Sequence, residues 1–141
     1  MGDGHAILCA KHLINEGEAV AVLFGDDIVE SEVPVIRQLM DVYEKYQDPV
    51  VALMSVPQEE VSKFGVVDSI LTGNRTHEVK AFVEKPKPEE APSNLIAVGK
   101  YIITWDVLQA LEGVKEGSHG GEVRLADAFI HLLKSGRSMY G

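Results

Sequence analysis

Residues 19–27, AVAVLFGDD, limit the fold more than any other stretch of the chain. Five or six apolar residues run without a break and end at a glycine and two carboxylates. An uninterrupted apolar run of this length predicts a strand buried on both faces, as in a parallel α/β sheet. Ligands of such sheets bind beyond the carboxyl ends of the strands. Gly25 lets the chain turn there, and Asp26 with Asp27 places negative charge at the mouth of the crevice. A carboxylate pair so placed suits a hard cation such as Mg²⁺, which takes one or two protein carboxylates and leaves the rest of its shell to water and phosphate. The same residues also compose an ordinary polar turn in which Asp27 caps a loop, and this stretch by itself is compatible with both.

Composition narrows the partners. The length of 141 residues suits one domain with a core of its own. No apolar run comes near the ~18 residues that span a membrane, and the N-terminus lacks a basic region followed by an apolar one. No membrane partner is therefore expected. The one cysteine, Cys9, cannot form an internal disulfide, which fits a reducing cytoplasm, and it reads as a small core residue. Net charge is −9. The lysines and arginines form no cluster, so nucleic acid is not expected either. An acidic chain can still hold a small phosphorylated ligand through a metal ion, helix N-termini and one or two placed lysines. His5, His12, His77, His119 and His131 show no i,i+4 pairing and no cysteine set beside them, which argues against zinc.

Along the chain, GDGHA opens a helical pattern through Ala6, Ile7, Ala10, Leu13 and Ile14, with Gly17 as its stop. Glycines ahead of a helix let a flat base or a phosphate approach the backbone closely. Ser31 to Pro34 starts a second helix, with Val33, Ile36, Met40 and Tyr43 on its apolar face and an end near Gln47. PVVALMSV at 49–56 is a second buried strand, so β-α-β is set by residue 56, with a right-handed crossover. PQEEVSKFG reads as one helical turn. FGVVDSI and HEVKAFVEKP read as a hairpin-like pair whose connection, 72–76, is longer than a tight loop. KPEEAPS is an extended surface loop, and NLIAVGKYIIT is a further strand with Gly99 as a bulge or close-approach point. Thr104 caps a short helix, residues 113–121 form a glycine-bearing loop, and 122–135 return to a helix with Leu125, Phe129, Leu132 and Leu133 inside. The chain ends at SMYG, one strand short of what its pattern leads toward, with no repeat and no second domain.

Three separated signatures occur in one order: GDGHA, FGDD and FVEKP. That order resembles the sugar-nucleotide pyrophosphorylases, and in particular the bacterial UTP–glucose-1-phosphate uridylyltransferases, whose sequences are also similar to KFGVVD, APSNLIAVGKYI and GGEVRLADAF. The resemblance covers essentially the whole chain. It implies an α/β, Rossmann-like mixed-sheet nucleotidyltransferase fold, and Mg²⁺-dependent uridylyl transfer from UTP to glucose 1-phosphate, giving UDP-glucose and pyrophosphate. By the same resemblance, Gly2 faces the uracil through its backbone, and Asp26 ligates Mg²⁺ near the ribose and phosphates. Gly65 and Glu84 contact the glucose hydroxyls, and Lys85 contacts the sugar phosphate. Asp26 and Lys85 are then the catalytic pair, offsetting charge on the phosphoryl oxygens. Read without the family, Glu84-Lys85 is as well described as a solvated pair at a strand end. For Lys100, Glu122 and Asp127, which also fall in family-like motifs, a structural role is at least as good a reading. A cytoplasmic enzyme and a homo-oligomer are the expected setting.

The departures from the family pattern define a second set of expectations. The glycine-rich GxGTR loop and its following lysine, the second metal-binding aspartate and the C-terminal helices are absent, and Asp3 replaces an apolar residue between the two glycines. Residues 1–141 thus read as a partial domain, an internal stretch of a longer enzyme, inactive alone and with the 19–24 strand lacking a partner on one side. Thymidylyl or cytidylyl transfer to glucose 1-phosphate, and a pyrophosphorylase-like domain used only for binding, are the alternatives. A phospho-receiver domain with Asp68 as acceptor fits less well, because the apolar run FGVVDSI continues past Asp68 and the hairpin breaks β-α alternation.

Overall fold

The structure is a computed structural model and describes residues 2–114 and 121–141. His119 and most of the expected 113–121 loop lie outside the described residues. Strand β5 (Leu95–Ile103) organises the sheet. Its Tyr101 and Ile102 pair on one edge with Val22 and Ala21 of β1 (Val20–Leu23), and on the other with Val51 and Val50 of β2 (Val50–Ser55). Both pairings are antiparallel. β1 and β2 therefore run in the same direction, but β5 lies between them, so the β-α-β order through α2 (Val35–Tyr46) does not make them neighbours.

β3 (Gly65–Gly73) and β4 (Thr76–Glu84) form an antiparallel hairpin. Gly73 pairs with Thr76, so the connection is a tight two-residue loop, Asn74-Arg75, and not the longer one expected. Arg75 takes the positive φ (61°) that closes it. β3 meets β5 at Val66↔Ile96, on the edge that β1 occupies further along.

Alternation along β2 and β5 builds two cores. Val51, Tyr101 and Ile103 face one side, where α1 (Asp3–Cys9), α3 (Trp105–Gly113) and α4 (Leu125–Lys134) supply Ile7, Leu108, Leu111, Leu125 and Phe129. Val50, Ala52 and Ile102 face the other, where α2 contributes Leu39. This is the α/β fold expected, although the observed ladders are antiparallel. Periodicity placed the α2 stripe imperfectly. Leu39, Val35, Ile36, Val42 and Tyr43 face the sheet, while Val33 and Met40 are exposed.

β1 departs from the strand buried on both faces. Val20 and Val22 face the core shared with α1 and α3, while Ala21 and Leu23 point away, Leu23 being 54% exposed. Among the described residues no strand pairs with its outer edge. The first helix is also shorter than its apolar pattern, ending at Cys9 and followed by a 3₁₀ turn at Lys11–Leu13. That leaves Cys9 exposed at a helix end, with Sγ 3.8 Å from His5 Nδ1, and not in the core.

The last residues join the sheet. Tyr140 bridges Val50 and Glu78, donating its N–H to the Pro49 carbonyl (2.9 Å) and accepting that of Val51 (2.9 Å). Met139 accepts from Val79 N–H (2.8 Å), and Gly141 and His77 exchange a pair of bonds (2.8 and 2.9 Å). The Tyr140 ring stacks on Tyr46 at 3.9 Å. Residues 139–141 thus link β2 to β4 and complete a circuit of pairings through β5 and β3. Met139 is buried in the larger core, so Met139→Ala is expected to cost about 2–5 kcal/mol in urea unfolding; an unchanged midpoint would show that this closure carries no stability.

Candidate active site

β1 occupies residues 100–103 of one β5 edge, and β3 reaches the same edge at Ile96. The interval between them, four residue steps or about 13 Å at ~3.3 Å per residue, is where the strand ends that carry Asp26, Gly65 and Glu84 meet. On the β1 side, β5 bulges. Tyr101 pairs with Val51 but Val98 with Ala52, which leaves Gly99 and Lys100 without partners on β2. The bulge expected at Gly99 is therefore present, and so is the close approach. A Cβ on Gly99 would lie 2.7 Å from Phe24 Cβ and would strike the Asp27 carboxylate.

The two aspartates after β1 divide their work. Asp27 Oδ2 accepts the Gly99 N–H (2.8 Å), 72 positions away in sequence, and so pins the turn to the sheet. Asp26 is exposed, carries no hydrogen bond or ion pair among the described residues, and lines an open cleft of about 440 Å³ with Asp3, Ala6, Ile7, Val22, Phe24 and Gly25. The loop-capping reading is realised in Asp27, and Asp26 is left exposed on the cleft.

Asp3, Ala6 and Ile7 supply the α1 side of the cleft. Asp3 Oδ1 accepts N–H groups from Gly4 (2.7 Å) and Leu125 (3.0 Å), and Gly4 N–H also reaches the Val123 carbonyl (3.0 Å). The GDG segment is thereby fastened to the start of α4. A Cβ on Gly2 would sit 2.5 Å from the Val123 carbonyl oxygen, so only glycine lets the two backbones lie this close.

On the β3 side, Gly65 pairs with Glu84 across the hairpin. A Cβ there would meet the Phe82 ring at 2.7 Å and Glu84 Oε2 at 3.2 Å, so the missing side chain gives the Glu84 carboxylate its place. Arg124 Nη1 stands 3.8 Å from Glu84 Oε1 and its Nη2 3.3 Å from Asp127 Oδ1, linking the end of β4 to α4. Lys85 Nζ lies 4.0 Å from Glu84 Oε1 and is largely exposed. Its backbone adopts φ 48°, a conformation uncommon outside glycine, held by a bond from its N–H to the Phe64 carbonyl (3.0 Å) and by the buried Pro86 that follows.

Tyr101 marks where these walls converge. Burial raises its phenol pKa, and the charges of Asp3, Asp27 and Glu84, from three separate elements, raise it further. Asp26 and Asp3 thus share one cleft, which Gly2 does not line, and Gly65, Glu84 and Lys85 stand together at the adjoining strand end. Glu122 is exposed just before α4, and Asp127 serves Arg124. Sequence reasoning missed Arg124 and Tyr101. Arg124 stood within GGEVRLADAF, but nothing local showed that its partner would be Glu84.

Residues 2–141 match the nucleotidyl transferase family, and the chain belongs to it. A UTP–glucose-1-phosphate uridylyltransferase of Bacillus subtilis (strain 168) is 45% identical over 134 residues, 95% of this chain and 44% of that protein. One of Staphylococcus haemolyticus is 48% identical over 131 residues, 93% of this chain and 45% of that protein. The crystal structure of a UDP-glucose pyrophosphorylase complexed with UDP-glucose superposes with a TM-score of 0.88 at 37% identity, covering 99% of this chain and 52% of the other. The chain therefore spans about half the length of the relatives it matches.

The Tyr101 environment carries a pH signature. Its folded pKa is raised, so above about pH 10 an unfolded tyrosine releases its proton while the folded one keeps it. That contribution to stability is complete below about pH 10 and is lost as pH rises further. Tyr101→Phe is expected to flatten the alkaline fall in unfolding free energy relative to the parent chain; an unchanged slope between pH 9 and 11 would remove Tyr101 from this account.

Proposed function

We propose that this chain forms the sugar-facing and metal-facing part of a site for uridylyl transfer from UTP to glucose 1-phosphate, yielding UDP-glucose and pyrophosphate. The observation that carries the reading is that β1, which leads into the Asp26 turn, and β3, whose first residue Gly65 pairs with Glu84, approach the same edge of β5. Two relatives named for this reaction, each above 40% identity, support it.

In this reading a phosphate oxygen of glucose 1-phosphate bonds to the α-phosphorus of UTP, and the bond from that phosphorus to the β-phosphate bridge breaks. The electron pair leaves with pyrophosphate. The nucleophile arrives on the substrate, so the chain supplies position and charge and no attacking side chain. Gly2 presents its backbone to the uracil. Glu84 accepts from glucose hydroxyls beside Gly65, held in place by Arg124. Lys85 brings its exposed ammonium to the sugar phosphate. Asp26 is a single free carboxylate, and no cluster of three or more His, Cys, Asp or Glu that could hold a metal exists among the described residues. That donor set fits Mg²⁺ carried in by a triphosphate better than a protein cage; when bound, the ion would neutralise charge on the phosphoryl oxygens. The exposed Cys9 accords with a cytoplasmic setting, and no helix among the described residues is long and apolar enough to cross a membrane. The unpaired edge of β1 is compatible with self-association.

Two substitutions divide the roles. In the protein that carries this chain, Lys85→Ala should weaken glucose 1-phosphate about 10–100-fold, the equivalent of a charged hydrogen bond, with UTP little affected. Equal losses for both substrates would contradict the assignment. Asp26→Asn should lower turnover by orders of magnitude, because an amide is a poorer ligand than a carboxylate. Normal turnover across a Mg²⁺ titration would take Asp26 out of the site. For the chain itself, calorimetric titration with UDP-glucose should show saturable binding that Lys85→Ala weakens.

A further inference from the structure

Lys100 is the only charged side chain buried among the described residues, at 8% exposure. No carboxylate pairs with it there. Its ammonium donates to three backbone carbonyls: Phe24 at 2.9 Å, Asp27 at 2.5 Å and Gly99 at 3.3 Å. A lysine has three donors and all three are used. Burying an ammonium is costly unless it is fully hydrogen-bonded, and an apolar side chain would fill the space without that cost. Two of the three acceptors lie beyond the end of β1, on either side of Asp26. That segment belongs to no regular element and faces solvent. The bulge in β5 aims Lys100 at it, since bulges redirect the side chains they carry.

We propose that Lys100 is a positioning residue: its ammonium gathers the carbonyls of Phe24 and Asp27 around itself and so holds Asp26 toward the cleft. It works beside the bond from Gly99 N–H to Asp27 Oδ2, which pins the same turn through a side chain. Lys100 touches no proposed substrate atom; it acts through Asp26. The inference rests on the reading of Asp26 as the carboxylate that meets a metal–nucleotide.

The test compares the 141-residue chain with Lys100→Met and Lys100→Arg by nuclear magnetic resonance, using Mn²⁺ with UTP as the probe. In Lys100→Met, amides at 25–28 and at Gly99 should exchange with solvent at least tenfold faster, while those of β3 and β4 stay within twofold. The Mn²⁺–UTP concentration that half-broadens the Asp26 amide should rise at least tenfold, and Lys100→Arg, which keeps several donors, should restore most of it. Faster exchange spread evenly over the sheet with unchanged broadening would make Lys100 a stability residue only and overturn the proposal, as would an unchanged turn. If the parent chain shows no broadening at Asp26, the metal reading fails by itself, and exchange at 25–28 still decides whether Lys100 orders the turn. If Lys100→Met does not fold, the parent's Nζ resonance decides: protection from exchange with contacts to Phe24 and Asp27 supports the clamp, and free exchange overturns it.

Discussion

Two residues of β5, Gly99 and Lys100, fall out of register with β2, and the site depends on that slip. A regular ladder would leave the Gly99 amide and the Lys100 side chain with no reason to address β1. The bulge instead turns an N–H toward Asp27 and an ammonium toward two carbonyls of the adjoining turn. Glycine is required because the Phe24 and Asp27 side chains fill the space a Cβ would take. One local irregularity thereby converts a flexible strand end into a defined platform for a single exposed carboxylate.

The other half of the site is held by charge pairing. Glu84 extends from β4, and the hairpin alone would leave it free to swing over Gly65. Arg124 at the start of α4 limits it, and Asp127 in turn limits Arg124. Exposed pairs contribute little to stability, but these groups are largely enclosed, with side-chain exposures of 13–25%, and their effect is on direction. The same helix start receives Asp3 through the Leu125 N–H. α4 is thus the common backing for the GDG segment and for the glutamate.

Much of this was legible in the sequence, because strong local patterns coincide with real elements. The runs at 19–24 and 49–56 are strands, Gln47 closes α2 as a left-handed cap, and Gly99 marks the bulge. What could not be read was partnership. An apolar run looks the same whether it lies inside a parallel sheet or beside one antiparallel neighbour, so β1 was expected to be more deeply buried than it is. Helical spacing misplaced Val33, which lies before α2 begins, and Met40, which sits one residue off a stripe centred on Leu39 and Val42. Lys100 and Arg124 gave no local sign of their roles, since each takes its meaning from residues far away along the chain.

The link that residues 139–141 form between β2 and β4 bears on the order in which the chain can fold. The β3–β4 hairpin involves near neighbours in sequence and can form early, whereas Tyr140 must find Val50 across some ninety intervening residues. Contacts of such separation bear their loop-closure cost before any reward and slow folding. During synthesis the hairpin and β2 must wait, with their facing edges open, until the last of these residues is released. The chain is then most exposed to pairing with other copies at the moment before it closes, and a chaperone acting on it would have those two edges to shield.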